Sequence, residues 1–430
     1  MASVRYRSRL LLASPEAEPV EDACLVVDGD RITYVGSAGA SREAGPFEET
    51  VDLGRALLLP GFVNTHCHSA MSLFRGMGNG LSLDEWLRTK IWPMEDQLKE
   101  DDLVYGNLLS LAEYARSGIT SFVDFYNVAP MMKALSKVRM RAVLSLAFMD
   151  EVPSMKEESW RRLEQVESFK RRVDDGKGMR VPALAVHSAY ACSEEMLRGV
   201  ADAAKENRLL VTGHLVEAGT EVPLVKASSG VGPVALMSRT GILGPRFLAA
   251  HCVHLDARGI AKLAQAGSSV SHCPRSNSRL GVGIAPVPKM LRAGLNVSLG
   301  TDGAGSSDTA DFFEEMRTAS YLQRAANSDA ALLPPRELLA MATVNGSRAL
   351  GGPGRGLAAG GDADFIAVRL DGAHLNPVLD LIGNVVFCSR PEDVSITVSG
   401  GRVLQRDGEV SGLDLGFVMA KANEIAHSLK

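Results

Sequence analysis

Two patterns of hydrophobic and polar positions divide the chain. Residues 1 to about 55 read as short β-rich runs separated by turns: 23–27, then Asp28-Gly29-Asp30, then 31–36. An Asp-Gly between two such runs is a hairpin signal. Residues 350–430 repeat the pattern, with runs at 363–368, 394–398 and 402–404 and a Ser399-Gly400-Gly401 turn. The two ends are therefore expected to pair as one small β-sandwich domain built from 1–56 and 350–430.

Residues 57–349 differ. Short apolar runs alternate with helical stretches, which is the pattern of βα units closing a parallel sheet. Candidate strands end near His68 and at 120–124, 142–146, 183–187, 210–214, 248–251, 269–272 and 297–302. The apolar run 56–59 reads as the lead-in to the first of them. Eight parallel strands in this length predict an α/β fold, a (β/α)8 TIM-type barrel, whose chemistry sits at the C-terminal strand ends.

The polar residues fall where that architecture would use them. Seven of the nine histidines lie in the barrel segment, six of them at or just beyond a proposed strand end, and Asp302 closes the last strand. In Pro60-Gly61-Phe62-Val63-Asn64-Thr65-His66-Cys67-His68 the two histidines stand at i and i+2. Residues two apart on a strand point the same way, so His66 and His68 aim two imidazoles at one place. By itself an H-x-H pair is more often structural than metal-binding. His214 from strand five and Asp302 from strand eight supply what it lacks, completing a set of three imidazoles and one carboxylate. Zinc is the first choice for such donors, one Zn2+ per chain, with Fe2+ as the alternative. An ion so held lowers the pKa of its water toward neutrality.

Glu217 follows His214 by three residues, as the chain leaves the strand. It is either a proton carrier between water and substrate or an ordinary carboxylate favoured by a helix N-terminus. His251, ending strand six, is placed to orient or deprotonate the water, whereas His254 reads as structural.

Composition narrows the classes. The 46% hydrophobic content suits a well-buried globular protein, and the formal net charge of -5 offers no basic footprint for nucleic acid. A small neutral substrate fits better. No apolar run of about eighteen residues suggests a membrane span, and residues 1–13 lack the apolar core of a signal peptide. Six cysteines without a C-x-x-C pair argue against a disulfide framework, so a cytoplasmic location is expected. Cys67, Cys252 and Cys273 each follow a histidine and read as small buried side chains packing behind the site.

These residues carry a resemblance. The 60–68 segment with Arg75-Gly76 after it, His214-Leu-Val-Glu217, Ala250-His251-Cys252-Val253-His254, His272-Cys273-Pro274-Arg275-Ser276-Asn277 and Gly300-Thr301-Asp302-Gly303 resemble the amidohydrolase superfamily. Within it the chain is most similar to the methylthioadenosine/S-adenosylhomocysteine deaminase group, over nearly its whole length. The resemblance implies a mononuclear site of His66, His68, His214 and Asp302, with Glu217 and His251 as proton carriers. It implies that Trp86, Glu95, His187 and Ser306 contact a nucleoside, Glu95 by accepting from ribose hydroxyls. Relatives with two metals use a carboxylated lysine at the end of strand four, where this chain has His187-Ser188. Members that accept S-adenosylhomocysteine hold its carboxylate with arginines after strand three; only Arg162 is a candidate here.

The expected activity is hydrolytic deamination of a 5′-modified adenosine (5′-methylthioadenosine, 5′-deoxyadenosine or S-adenosylhomocysteine), with a lean toward the first two. A second reading keeps the site and changes the heterocycle to guanine, a pterin, cytosine or a triazine. A third is a scaffold that binds metal or nucleoside without catalysis. No nucleic-acid or membrane partner is expected; a homo-oligomer is.

Overall fold

The computed structural model describes residues 3–41, 47–77 and 79–429. Five strands come first: β1 (Ser3–Leu11), β2 (Val20–Asp28), β3 (Arg31–Ser37), β4 (Glu49–Asp52) and β5 (Ala56–Pro60). Eight follow in the middle: β6 (Phe62–Cys67), β7 (Ile119–Asp124), β8 (Arg141–Phe148), β9 (Arg180–Val186), β10 (Leu210–Leu215), β11 (Phe247–His251), β12 (Ser269–His272) and β13 (Asn296–Leu299). The last four are β14 (Phe365–Arg369), β15 (Val394–Ser399), β16 (Arg402–Arg406) and β17 (Glu409–Val410).

β6 to β13 form one eight-stranded sheet in chain order, every pair parallel. This is the expected (β/α)8 barrel. Side chains alternate across its wall as a pleated strand requires. Phe122, Leu144, Leu184 and Ala249 face the surrounding helices, while their chain neighbours Val123, Val143, Ala183 and Leu248 form a separate apolar cluster.

The remaining strands make a nine-stranded mixed sheet, ordered β17-β16-β15-β14-β5-β1-β2-β3, with β4 also pairing β1. The chain ends meet where β5 runs antiparallel to β14. β1 divides its other edge between β4 and β5, and the sheet branches there. Tyr6, Leu25, Leu58, Phe365 and Ile396 supply its core.

The run 56–59 therefore does not lead into the first barrel strand; it is β5, registered Leu57↔Val368 and Leu59↔Ile366. Its five residues are all buried, as are the six of β6. A continuous apolar run cannot say which of two sheets will claim it. The break falls at Gly61, where a Cβ would lie 2.1 Å from Thr120.

The barrel closes by hand rather than by a ladder. β6 and β13 end the path of hydrogen-bonded strands, and their seam is sewn by the backbone N–H of Asp302 to the carbonyl of His66 at 2.9 Å. Asn64 adds two bonds, donating to Thr301 Oγ1 at 2.7 Å and accepting from the Thr301 N–H at 3.0 Å. Thr65 Oγ1 donates to the Leu299 carbonyl at 2.8 Å. Close approach is possible because residue 300 is glycine; a Cβ there would sit 2.9 Å from that of His66. Among the described residues no helix is long and apolar enough to cross a membrane.

The seam yields a stability prediction. Asn64 is fully buried, and Asn64→Ala leaves the Thr301 N–H without its partner. The expected cost is about 2–4 kcal/mol, read from urea denaturation beside wild type. An unchanged midpoint would show that the seam does not need Asn64.

Candidate active site

The strand ends bring four donors to one place. His68 Nδ1–H donates to the Phe125 carbonyl at 2.6 Å, and His214 Nδ1–H to the His187 carbonyl at 2.7 Å. Each bond commits one ring nitrogen and leaves Nε2 with its lone pair. Those two Nε2 atoms face each other at 3.3 Å. His66 is fully buried, and neither of its nitrogens has a hydrogen-bond partner among the described residues. Asp302 Oδ1 lies 3.2 Å from His68 Nε2 and 3.5 Å from His66 Nε2. Its other oxygen accepts from Ser276 Oγ at 2.6 Å and Ser306 Oγ at 2.9 Å.

Burial sets the protonation states. It pushes His66 down to about 4 and His214 well below the ordinary imidazole value. Burial alone would raise Asp302, but its contacts with His66 and His68 outweigh that and hold the carboxyl well below the usual range. His68 is also opposed by burial, yet the same carboxylate leaves it raised. The lowered His66 and His214 rings, the Nε2 of His68 and a carboxylate oxygen converge on one point and make the donor set of a divalent transition metal, which would displace any proton from His68. A buried imidazole with two idle nitrogens is otherwise hard to account for. Ligating atoms of His66, His68 and His214 lie within 4.8 Å of one another, as do those of His66, His251 and Asp302.

Glu217 and His251 sit beside this cluster. His251 Nδ1–H donates to Asn277 Oδ1 at 2.9 Å, turning Nε2 toward Glu217 Oε2, 3.8 Å away. Burial raises Glu217, which His251 only partly offsets. A buried carboxyl raised from its ordinary value and facing an imidazole nitrogen is the arrangement of an acid–base pair. The backbone is strained where these groups leave their strands: Val216, His251, Cys252 and Asp302 have φ of 47°, 68°, 53° and 59°. Such angles in non-glycine residues concentrate at functional sites.

The other sequence candidates are placed as follows. Glu95 accepts a hydrogen bond from the Tyr126 hydroxyl, and burial raises its carboxyl. Tyr126 in turn rings the site, 6.3 Å from His68 centre to centre. The His187 ring lies 5.0 Å from that of His214 and is pushed down to about 4 by burial. Trp86 is buried, donates Nε1–H to the Met77 carbonyl at 3.2 Å, and packs against Gly305 next to Ser306. Arg162 is engaged locally, with Glu158 at 2.9 Å and the Ala147 carbonyl at 2.8 Å. His254 Nε2–H reaches the Val282 carbonyl at 2.8 Å. His272 is buried with neither nitrogen hydrogen-bonded among the described residues, and burial pushes it to about 3.

Sequence reasoning missed Tyr126, Ser276 and Asn277. Tyr126 stands two residues past the end of β7, so position at a strand end was its available signal. Ser276 and Asn277 lie inside the 272–277 motif, but their partners Asp302 and His251 are each 26 residues away.

The chain is similar to known proteins over nearly its whole length. A methylthioadenosine/S-adenosylhomocysteine deaminase from Moorella thermoacetica is 38% identical over 406 residues, covering 94% of each chain. A 5′-deoxyadenosine deaminase from Methanothermobacter thermautotrophicus is 38% identical over 429 residues, covering 98% of each. The crystal structure of an adenosine deaminase from Xanthomonas campestris with bound zinc superposes with a TM-score of 0.94 at 27% identity, over 99% of this chain and 98% of that one. Residues 57–404 match the amidohydrolase family model, and the chain belongs to the amidohydrolase family.

Proposed function

We propose that this chain is a metal-dependent aminohydrolase converting a 5′-modified adenosine and water to the corresponding inosine and ammonia. The observation that carries the reading is the raised Glu217 carboxyl facing His251 beside the donor cluster. His66, His68, His214 and Asp302 would hold one divalent cation, zinc by preference. When bound, such an ion supplies Lewis acidity that activates water at neutral pH.

The chain's own groups handle the protons. His251, its Nδ1–H fixed by Asn277, presents Nε2 to take a proton from the water that attacks C6. Glu217, whose carboxyl burial raises toward its protonated form, gives its proton to the adjacent ring nitrogen as the C6–O bond forms. The amino group then takes the proton held by His251 and leaves with the C6–N electron pair as ammonia, while the remaining hydroxyl proton returns to Glu217 and C6 becomes a carbonyl. Asp302, with Oδ2 held by Ser276 and Ser306, keeps Oδ1 toward the reacting centre.

Substrate placement follows the relatives' names and the residues at the rim. Glu95, oriented by Tyr126, would accept from the ribose hydroxyls; Trp86, His187 and Ser306 would flank the nucleoside. Arg162 already serves Glu158 and the Ala147 carbonyl. That engagement supports an uncharged 5′ substituent, as in 5′-methylthioadenosine or 5′-deoxyadenosine, over the amino acid of S-adenosylhomocysteine.

Three outcomes are expected. Glu217→Gln should keep its metal content and lose turnover by about 10²–10⁴-fold, seen as loss of the adenine absorbance change; normal turnover would remove Glu217 from its role. Across adenosines that differ only at the 5′ position, Glu95→Ala should lower kcat/KM for every nucleoside. Equal activity of that variant and wild type would favour a free base as substrate.

The third concerns pH. His66 and His187 sit at about 4 and His272 at about 3 in the folded protein, against about 6.5 when unfolded. Their neutral burial stabilises the metal-free fold fully above pH 6.5. Between 6.5 and 4 the unfolded chain binds protons that these three rings refuse, so their own contribution to stability falls as the pH falls, while the raised Glu221 and Glu315 carboxyls, at about 8, act in the opposite sense. Proton NMR titration of the metal-free protein should find the three imidazoles still neutral at about pH 5. Protonation of all three near pH 6.5 would contradict the neutral cluster.

A further inference from the structure

Glu221 opens the helix Glu221–Ser229 and is 3% exposed. No step above uses it. Its Oε2 accepts the backbone N–H of Glu217 at 3.1 Å, and the backbone of Val216 also favours its charged form. Its Oε1 has no hydrogen-bond partner among the described residues. A helix-opening carboxylate normally faces water, where the helix dipole favours it. This one is turned inward, under the loop that carries the proposed acid.

That loop needs holding. Val216 adopts φ of 47°, a conformation disfavoured for a β-branched residue. Its carbonyl accepts the His254 N–H at 2.9 Å, and the Leu215 carbonyl accepts the Cys252 N–H at 3.0 Å. The neighbouring β11 loop thus pins the carbonyl side of the turn. On the N–H side, the backbone of Glu217 is held by Glu221. Its carboxyl is the tie, among the described residues, that fixes which way the Glu217 side chain leaves the backbone.

We infer that Glu221 is a positioning residue, whose buried carboxyl clamps the strained turn at Val216–Glu217 and keeps the Glu217 carboxyl aimed at His251 and the substrate. The inference rests on the role proposed for Glu217. Burial pushes Glu221 to about 8, a direction that favours its uncharged form beside Glu217.

The test compares Glu221→Ala and Glu221→Gln with wild type and Glu217→Gln, using zinc-loaded enzyme and the best 5′-substituted adenosine. Glu221→Ala should lower kcat by about 10–10²-fold, the scale of a misplaced proton carrier, with KM and bound zinc unchanged. Glu221→Gln, whose amide oxygen still accepts the Glu217 N–H, should recover kcat to within about threefold of wild type. In a Glu217→Gln background, Glu221→Ala should have no further effect on kcat, because residues that act as one unit are not additive.

Wild-type kcat in Glu221→Ala would overturn the inference, as would equal losses in the alanine and glutamine variants. So would a loss that multiplies with that of Glu217→Gln, or one tracking lost zinc. A wild-type enzyme inert toward every adenosine, or a fully active Glu217→Gln, would instead sink the functional reading itself.

Discussion

Everything at this site depends on the seam between the first and last barrel strands. The N–H of Asp302 bonded to the carbonyl of His66 fixes their relative height. It brings a buried carboxylate to within 3.5 Å of two imidazoles that stand on the opposite side of the closure. Asn64, Thr65 and Gly300 exist in that sequence for the same closure. A barrel that closed one residue out of register would separate the carboxylate from the histidines. Fold and metal site are in that sense one constraint.

The electrostatics have the same origin. Withdrawing imidazoles from water makes them neutral, and neutral imidazoles are ligands. Each ring is then turned by a backbone carbonyl: Phe125 for His68, His187 for His214. Because those carbonyls stand one residue past the ends of the neighbouring strands β7 and β9, the sheet sets the tautomers. Burial also raises Glu217, the direction that the proposed proton transfer requires. The left-handed backbone at Val216, His251 and Asp302 shows where the chain accepts strain to aim these groups.

Much of this was legible in the sequence. Two histidines at i and i+2 on a strand, with other strand ends carrying His214, His251 and Asp302, survive boundary errors of a few residues because they depend on which end of the strand is polar. The apolar run 56–59 was less legible: both sheets offer a fully buried slot, and only the Pro60-Gly61 break, forced by Thr120, assigns it to β5. Residues whose meaning lies in a distant partner were least visible. Tyr126 matters through Glu95, 31 residues earlier, and Asn277 through His251. Glu221 looks like any helix-opening carboxylate until its burial is known.

The most direct test of the account is ammonia release from 5′-methylthioadenosine by metal-stripped protein as zinc is added back. The account predicts release that rises with zinc and saturates at one ion per chain, with one ammonia formed per nucleoside consumed. Ammonia formation that is indifferent to metal, or a zinc-loaded protein that releases none from any 5′-substituted adenosine, would contradict it.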